Sequence, residues 1–257
     1  MARFVDDLAA GGRVFFTLED LLSKTGLSPV AAKNQLLRFG NHVVRVTPRQ
    51  QHFLIVSPEH RAFGAPPVDW WLDDYMQQLG HPYYVALLSA AATFGSSQQA
   101  IQQTQVITDL PRRDLIIGRI HVKFFMKSGI NKTLTEQAPN AYAPLMISTL
   151  ESTIFDLIRY AHSLGGIERM AETIGPMIRG VKPSAFRRVL DAEQEVPTVQ
   201  RLGFVLERIG AEKLASVAHA WLPSRLQPVL LSVQHGNEQA ASPDQKWKVI
   251  NNAKAFA

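Results

Sequence analysis

The stretch RVFFTLEDLLSKTGLSPVAAKNQLLRFGNHVVRVTPRQQHFLIV, residues 13–56, decides the fold expected at the N-terminal end of this chain. Val14–Phe16 is a short apolar run. Thr17 follows as a helix N-cap with Asp20 at the third helical position, so a helix is expected from Leu18 to about Lys24. Gly26 ends it. Ser28-Pro29 opens a second helix, because proline at the first helical position gives up only an amide hydrogen that has no intrahelical partner. That helix stops at Gly40, where a left-handed residue is favoured. At about 100° per residue, Ala32, Leu36 and Phe39 share one narrow arc, and Lys33, Asn34 and Arg38 lie on the opposite side. Leu37 fits this division badly, near the edge of the polar face. Two strand-like runs follow, Val43–Val46 and His52–Val56, joined by Thr47-Pro48-Arg49-Gln50-Gln51 with turn chemistry at its start and a basic, amide-rich tip. Helix, turn, helix and hairpin in this order predict a winged helix-turn-helix.

A helix buried on its apolar side can offer a basic-amide side to the major groove of double-stranded DNA. Arginine and lysine suit guanine edges and phosphates, and asparagine or glutamine suits adenine edges. The expected DNA-binding residues are Lys33, Asn34 and Arg38 in the groove with Gln35 beside them. Ser28 is expected near a phosphate at the helix start, and Arg45 and Arg49 of the wing on the backbone or minor groove. Two competing readings remain: a solvated helix face that happens to carry lysine and arginine, and a winged helix used only for docking protein.

With 257 residues, 46% hydrophobic and 19% charged, the composition is that of a soluble globular protein with room for two domains. No apolar run approaches the roughly 20 residues needed to span a bilayer, and MARFVDDLAAGG is too short and too acidic for a signal peptide, so a cytoplasmic protein without a membrane partner is expected. The chain has no cysteine, which excludes disulfides, thiolate nucleophiles and sulfur-ligated zinc. The net charge is +5; residues 1–67 hold eight Lys or Arg against five Asp or Glu, a charge density several times that of the remainder. That distribution agrees with a nucleic-acid face near the N-terminus.

Residues 3–10 are expected to form a further helix presenting Phe4, Val5 and Leu8, and SPEHRAFGAPP (57–67) marks a boundary between a domain of residues 1–66 and one of 67–257. Beyond it, VDWWLDDYMQQLG reads as an amphipathic helix and HPYYVALLSAAATFGSS as another. Residues 101–108 and 115–126 read as strands, with Ile120, Val122 and Phe124 alternating with Arg119, His121 and Lys123. A short extended piece is expected around Ala143–Ile147. Ser148 or Thr149 then caps a helix with Leu150, Ile154, Leu157 and Ile158 at helical spacing. The remainder reads as helices broken at Gly175-Pro176, Pro183, Pro197 and Gly210, a loop at 235–245, and a last apolar patch of Trp247, Val249 and Ile250. The fold class expected is α+β, mostly helical: a winged helix-turn-helix followed by a larger mixed domain with a helical C-terminal part.

Several segments carry a resemblance, in addition to the N-terminal one. They are Tyr84 to Gly95 (YVALLSAAATFG), the strand pair around Ile120–Phe125, Ser148 to Ile158 (STLESTIFDLI) and Arg201 to Glu207 (RLGFVLE). In their order and spacing they resemble the AbiEi family, the antitoxin half of a bacterial abortive-infection toxin–antitoxin system. The resemblance implies a transcriptional autorepressor that binds repeated promoter sequence through its N-terminal domain. It also implies that the larger domain counteracts a nucleotidyltransferase-like toxin. The family commonly has arginine directly after the glutamate of the 148–158 segment; this chain departs from it with Ser152.

No catalytic constellation stands out. There is no phosphate-binding glycine loop with lysine, no HExxH, no GxSxG and no histidine pair at metal spacing. Asp73 and Asp74 are adjacent and point about 100° apart on a helix, which suits a solvated face better than a metal. Glu151 is explained by the helix dipole, and Asp156 lies on the same helix. His81, His121, His162 and His219 are scattered. No cofactor, no metal and no enzymatic activity are therefore expected. The alternatives are a ligand-gated winged-helix regulator not paired with a toxin, a docking module that never touches DNA, and an enzyme acting on nucleic acid.

Overall fold

The computed structural model describes residues 1–96, 103–138, 143–232 and 242–253. It is an α+β structure, about half helical. The chain divides into two compact units, one of Met1–Tyr84, Gln102–Ser128 and Gln137–Met146, the other of Val85–Ile101, Gly129–Glu136 and Ile147–Ala257.

The first unit begins with α1 (Ala2–Ala10), β1 (Phe15–Thr17), α2 (Leu18–Thr25), α3 (Pro29–Phe39), β2 (Val43–Arg45) and β3 (His52–Ile55). Local signals made these helices. In α2 the Thr17 hydroxyl accepts from the Asp20 amide at 3.0 Å while the Asp20 carboxylate accepts from the Thr17 amide at 2.8 Å, and Gly26 closes the helix at φ 66°. The three strands form an antiparallel sheet in the order β1-β3-β2. Phe16 lies opposite Phe53, their rings stacked 5.4 Å apart, and Phe4 of α1 meets Phe16 edge-on. The apolar run at 14–16 thus leads into β1, a third strand in addition to the expected hairpin.

The apolar segment after residue 67 starts with a single 3-10 turn, and α4 covers Leu72–Leu79. Tyr83-Tyr84-Val85 was expected to be helical but forms β4 (Tyr83–Val85), and α5 (Leu87–Thr93) begins only after it. All three residues are buried, and Val85 pairs with Ile147; short apolar runs of this kind lack a period that distinguishes helix from strand. The expected strand at 101–108 appears as β5 (Thr104–Thr108), residues 101 and 102 lying outside the described ones. The single strand expected over 115–126 is a hairpin of β6 (Leu115–Ile117) and β7 (Ile120–Met126). It turns at Gly118, φ 57°, where a side chain would overlap the backbone at Phe63 and Gly64. Strand β7 also pairs in parallel with β5. Next come β8 (Thr135–Gln137) and β9 (Met146–Ser148), the latter slightly beyond its expected place. The six strands are hydrogen-bonded in the order β6-β7-β5-β4-β9-β8.

The second unit is built on α6 (Leu150–Arg159), capped by the Thr149 hydroxyl. Every residue from Glu151 to Ile158 is buried, so the expected one-sided helix is enclosed on all sides. Against it pack α5, α7 (Ile167–Met177), α8 (Pro183–Glu193) and α9 (Val196–Arg208), and α10 (Glu212–Trp221) packs on α8 and α9. Contrary to the break expected at Gly175-Pro176, α7 runs through both. Ile174 and Met177 are buried while Gly175 and Pro176 are exposed, so the carbonyl that proline leaves without a donor can be hydrated. Two short parallel strands, β10 (Val229–Leu230) and β11 (Val249–Ile250), close the unit. Gly203 of α9 lies under the Trp247 ring, where a Cβ would overlap the indole, and the neighbouring Arg201 donates its Nε hydrogen to the Leu230 carbonyl at 2.7 Å.

Candidate nucleic-acid interface

The candidate surface is the outer side of α3. Ser28 caps the helix by accepting from the Ala31 amide at 3.3 Å, and Pro29 occupies its first turn. Ala32 is fully buried, and Leu36 and Phe39 are half-buried on the same arc. On the opposite side Lys33, Asn34 and Arg38 are exposed, and their side chains make no hydrogen bond or ion pair among the described residues. The helix contains no acidic residue. Gln35 is half-buried and turned roughly 100° from Asn34, towards the packed side rather than alongside the groove-facing set. Ser28 is exposed, with its hydroxyl committed to the cap.

The hairpin spends its polar groups on itself. Arg45 donates to the Pro48 carbonyl and to the Gln51 side chain, both at 3.3 Å, and its guanidinium lies 5.4 Å from the Phe53 ring centroid. The Gln50 side-chain oxygen accepts from Thr47 at 3.1 Å and from the Tyr75 hydroxyl at 3.0 Å. Arg49 alone of the tip's basic and amide side chains is exposed without such a partner among the described residues. Tyr75 was legible only as an apolar helix residue. Its ring meets Phe15 and His52 edge-on at 6.3 and 5.7 Å, so α4 braces the hairpin from below. Burial holds His52 below the usual imidazole pKa, and its Nδ1 is buried without a hydrogen bond.

The carboxylates and histidines are used differently from the sequence expectation. Asp73 accepts from the Tyr83 hydroxyl at 2.7 Å and from Gln77 at 2.6 Å; Asp74 is half-buried, and burial raises its pKa. Neither lies on a freely solvated face. Glu151 is buried and accepts the Lys182 amide at 3.1 Å, a role the helix dipole does not describe; Asp156 is fully buried. Ser152 is buried and its hydroxyl accepts from Thr149 at 3.0 Å. His81 meets Asp109 at 2.9 Å, His121 lies 3.6 Å from Asp114, and His219 packs edge-on against Trp247. The histidines are not brought together, and among the described residues no three His, Cys, Asp or Glu gather as metal ligands. Among them, too, no helix is long and apolar enough to cross a membrane.

Arg159 forms an ionic cluster in which its Nη1 lies 2.8 Å from Glu195 and 3.8 Å from Glu193; Glu193 also accepts from the Thr133 hydroxyl at 2.8 Å. Within the second unit the Glu193 side chain is nearly covered, Arg159 is largely covered and Glu195 is about one third exposed.

Comparison with known proteins places this architecture. The whole chain is similar in fold to the crystal structure of the RV2827C protein from Mycobacterium tuberculosis, with a TM-score of 0.66 at 17% identity, covering 96% of this chain and 89% of that one. A nucleotidyltransferase-like antigenic protein from Paracoccidioides brasiliensis aligns at a TM-score of 0.36 and 10% identity, over 59% of this chain and 90% of that one. No curated protein matches the sequence. Residues 84–208 match the family model of the AbiEi antitoxin C-terminal domain, a span that takes in the Tyr84, Ser148 and Arg201 segments. Over these residues the chain is similar to the AbiEi antitoxin C-terminal domain.

Proposed function

We propose that this protein is the antitoxin of a toxin–antitoxin pair. In this reading it represses its own promoter through residues 1–66, acting as a winged helix-turn-helix, and counteracts a nucleotidyltransferase-like toxin through residues 67–257. The observation that carries the antitoxin half is the family match over residues 84–208. The DNA half is supported by α3, a helix without acidic residues whose exposed Lys33, Asn34 and Arg38 stand opposite the buried Ala32. Arg49 supplies the free cation of the wing, and Arg45 acts by stiffening the tip. The protein would work in the cytoplasm on repeated promoter sequence, without catalysis of its own.

The test is an anisotropy titration of the full chain on duplex DNA from upstream of its own gene, against a scrambled duplex, at two salt concentrations. Selective binding that weakens with salt is expected, because each phosphate contact releases counterions. Equal affinity for both duplexes overturns autoregulation. In parallel, the chain is co-expressed with a nucleotidyltransferase-like neighbour gene. Rescue of growth is expected from wild type and from a Lys33→Ala, Arg38→Ala double variant alike, and failure of wild type to rescue overturns the antitoxin reading.

A further inference from the structure

The residue that fitted the helical pattern badly, Leu37, is 79% exposed, and Val30, one heptad earlier on α3, is 70% exposed. Scattered single apolar side chains are ordinary on a protein surface, whereas two in line on one helix form a contiguous apolar stripe rimmed by polar groups, the pattern of an interaction site. Their position on the helix is informative. Seven residues span almost two turns, so Val30 and Leu37 lie about 20° apart. Lys33 falls to one side of that line, and Asn34 and Arg38 to the other. The apolar pair therefore runs down the middle of the basic-amide face, nearly opposite Ala32 and Phe39, with Leu36 at the edge of the packed side.

We infer that Val30 and Leu37 are specificity-determining residues that pack on the 5-methyl groups of thymines in the major groove. The inference rests on the DNA-reading role proposed above and deepens it. The occupant is set by charge: the flanking side chains are two cations and an amide, with no carboxylate on the helix, which suits a polyanion carrying apolar points. Thymine alone among the bases presents a methyl group in the major groove, and apolar side chains are the groups that read it. Asn34, adjacent to both, has the donor and acceptor that fit the adenine of a neighbouring A·T pair. The operator selected by this face is accordingly rich in A·T pairs at its centre, with guanines or phosphates at the Lys33 and Arg38 edges.

Deoxyuridine in place of thymine removes the methyl group and nothing else. The full-length protein is titrated on its upstream duplex and on the same duplex carrying deoxyuridine at each thymine in turn; Val30→Ala and Leu37→Ala variants are then titrated on both. Wild type is expected to bind about fourfold more weakly for each methyl that is read, the equivalent of about 0.8 kcal/mol for one buried carbon. In the variant that lacks the contacting side chain the same replacement is expected to have no effect, with the salt dependence unchanged. Selective binding that ignores deoxyuridine at every position overturns the thymine assignment and leaves the DNA-reading role standing. Absence of selective binding by wild type overturns both. If Leu37→Ala instead changes the sedimentation behaviour of the free protein, with the deoxyuridine effect intact, the stripe joins two copies of this chain and the inference fails. Circular dichroism of the variants confirms folding, which such exposed positions should not disturb.

Discussion

The arginines of α3 and α6 differ in how their charge is used. Arg38 is exposed on α3 with no ion pair among the described residues, whereas Arg159 is four-fifths covered and held between Glu195 and Glu193. A charge already matched within the fold has little left to offer a ligand, and removing it leaves carboxylates without compensation. A charge kept in water contributes almost nothing to stability and is available for recognition. Position in sequence and residue type do not distinguish the two; the partner does.

The largest effect that sharpens this contrast is on stability. Arg159→Ala is expected to cost about 3 kcal/mol, because the Glu193 side chain is only 4% exposed and loses its guanidinium. Urea denaturation measures it, and a change below about 0.5 kcal/mol, the size expected of a surface residue, would erase the distinction. Arg38→Ala should show the reverse: an unchanged urea midpoint and a loss of about 1–3 kcal/mol in affinity for the upstream duplex, with relaxed specificity. Promoter affinity equal to wild type would move the reader away from this face. Arg49→Ala is expected to weaken binding to all duplexes alike and to reduce the slope of log affinity against log salt by about one, as one phosphate contact is lost. A sequence-dependent loss would make Arg49 a base reader instead.

The smallest effect lies between the two kinds of residue, in the hairpin. Burial lowers the pKa of His52, so the unfolded chain takes up a proton that the folded chain resists. Above the ordinary imidazole value of about 6.5 both states are neutral and the residue is silent. As pH falls below that value towards the depressed folded one, the unfolded state binds more protons and stability drops. Urea midpoints at pH 7.5 and 5.5 should therefore fall further for wild type than for His52→Gln. Equal falls would show that the hairpin base, beside Phe15 and Tyr75, is wetter than its packing indicates.

Much of the N-terminal architecture was legible because its signals are local. Thr17 with Asp20, Ser28 with Pro29, and the glycines at 26 and 40 fix helix ends through bonds made within a few residues. The exposed placement of Lys33, Asn34 and Arg38 followed from the period of α3. The half-burial of Gln35 and the bond from Arg45 to Gln51 across the hairpin did not show in the sequence, since both arise from packing and pairing rather than from helical period. Tyr83-Tyr84-Val85 was unreadable for a related reason: whether a short apolar run coils or extends depends on the strand beside it, here β9, more than 60 residues away.

Spacing along one chain was enough to place the helix caps, the polar arc of α3, the alternation in β7 and the likeness of residues 84–208 to an antitoxin domain. Which charges remain free was settled by packing from distant parts of the chain. Glu151 was buried against Lys182, Asp73 bound to Tyr83, Arg159 enclosed by Glu193 and Glu195, and Leu37 left in water. Desolvation and pairing are set by what packs from elsewhere, and no local period encodes that.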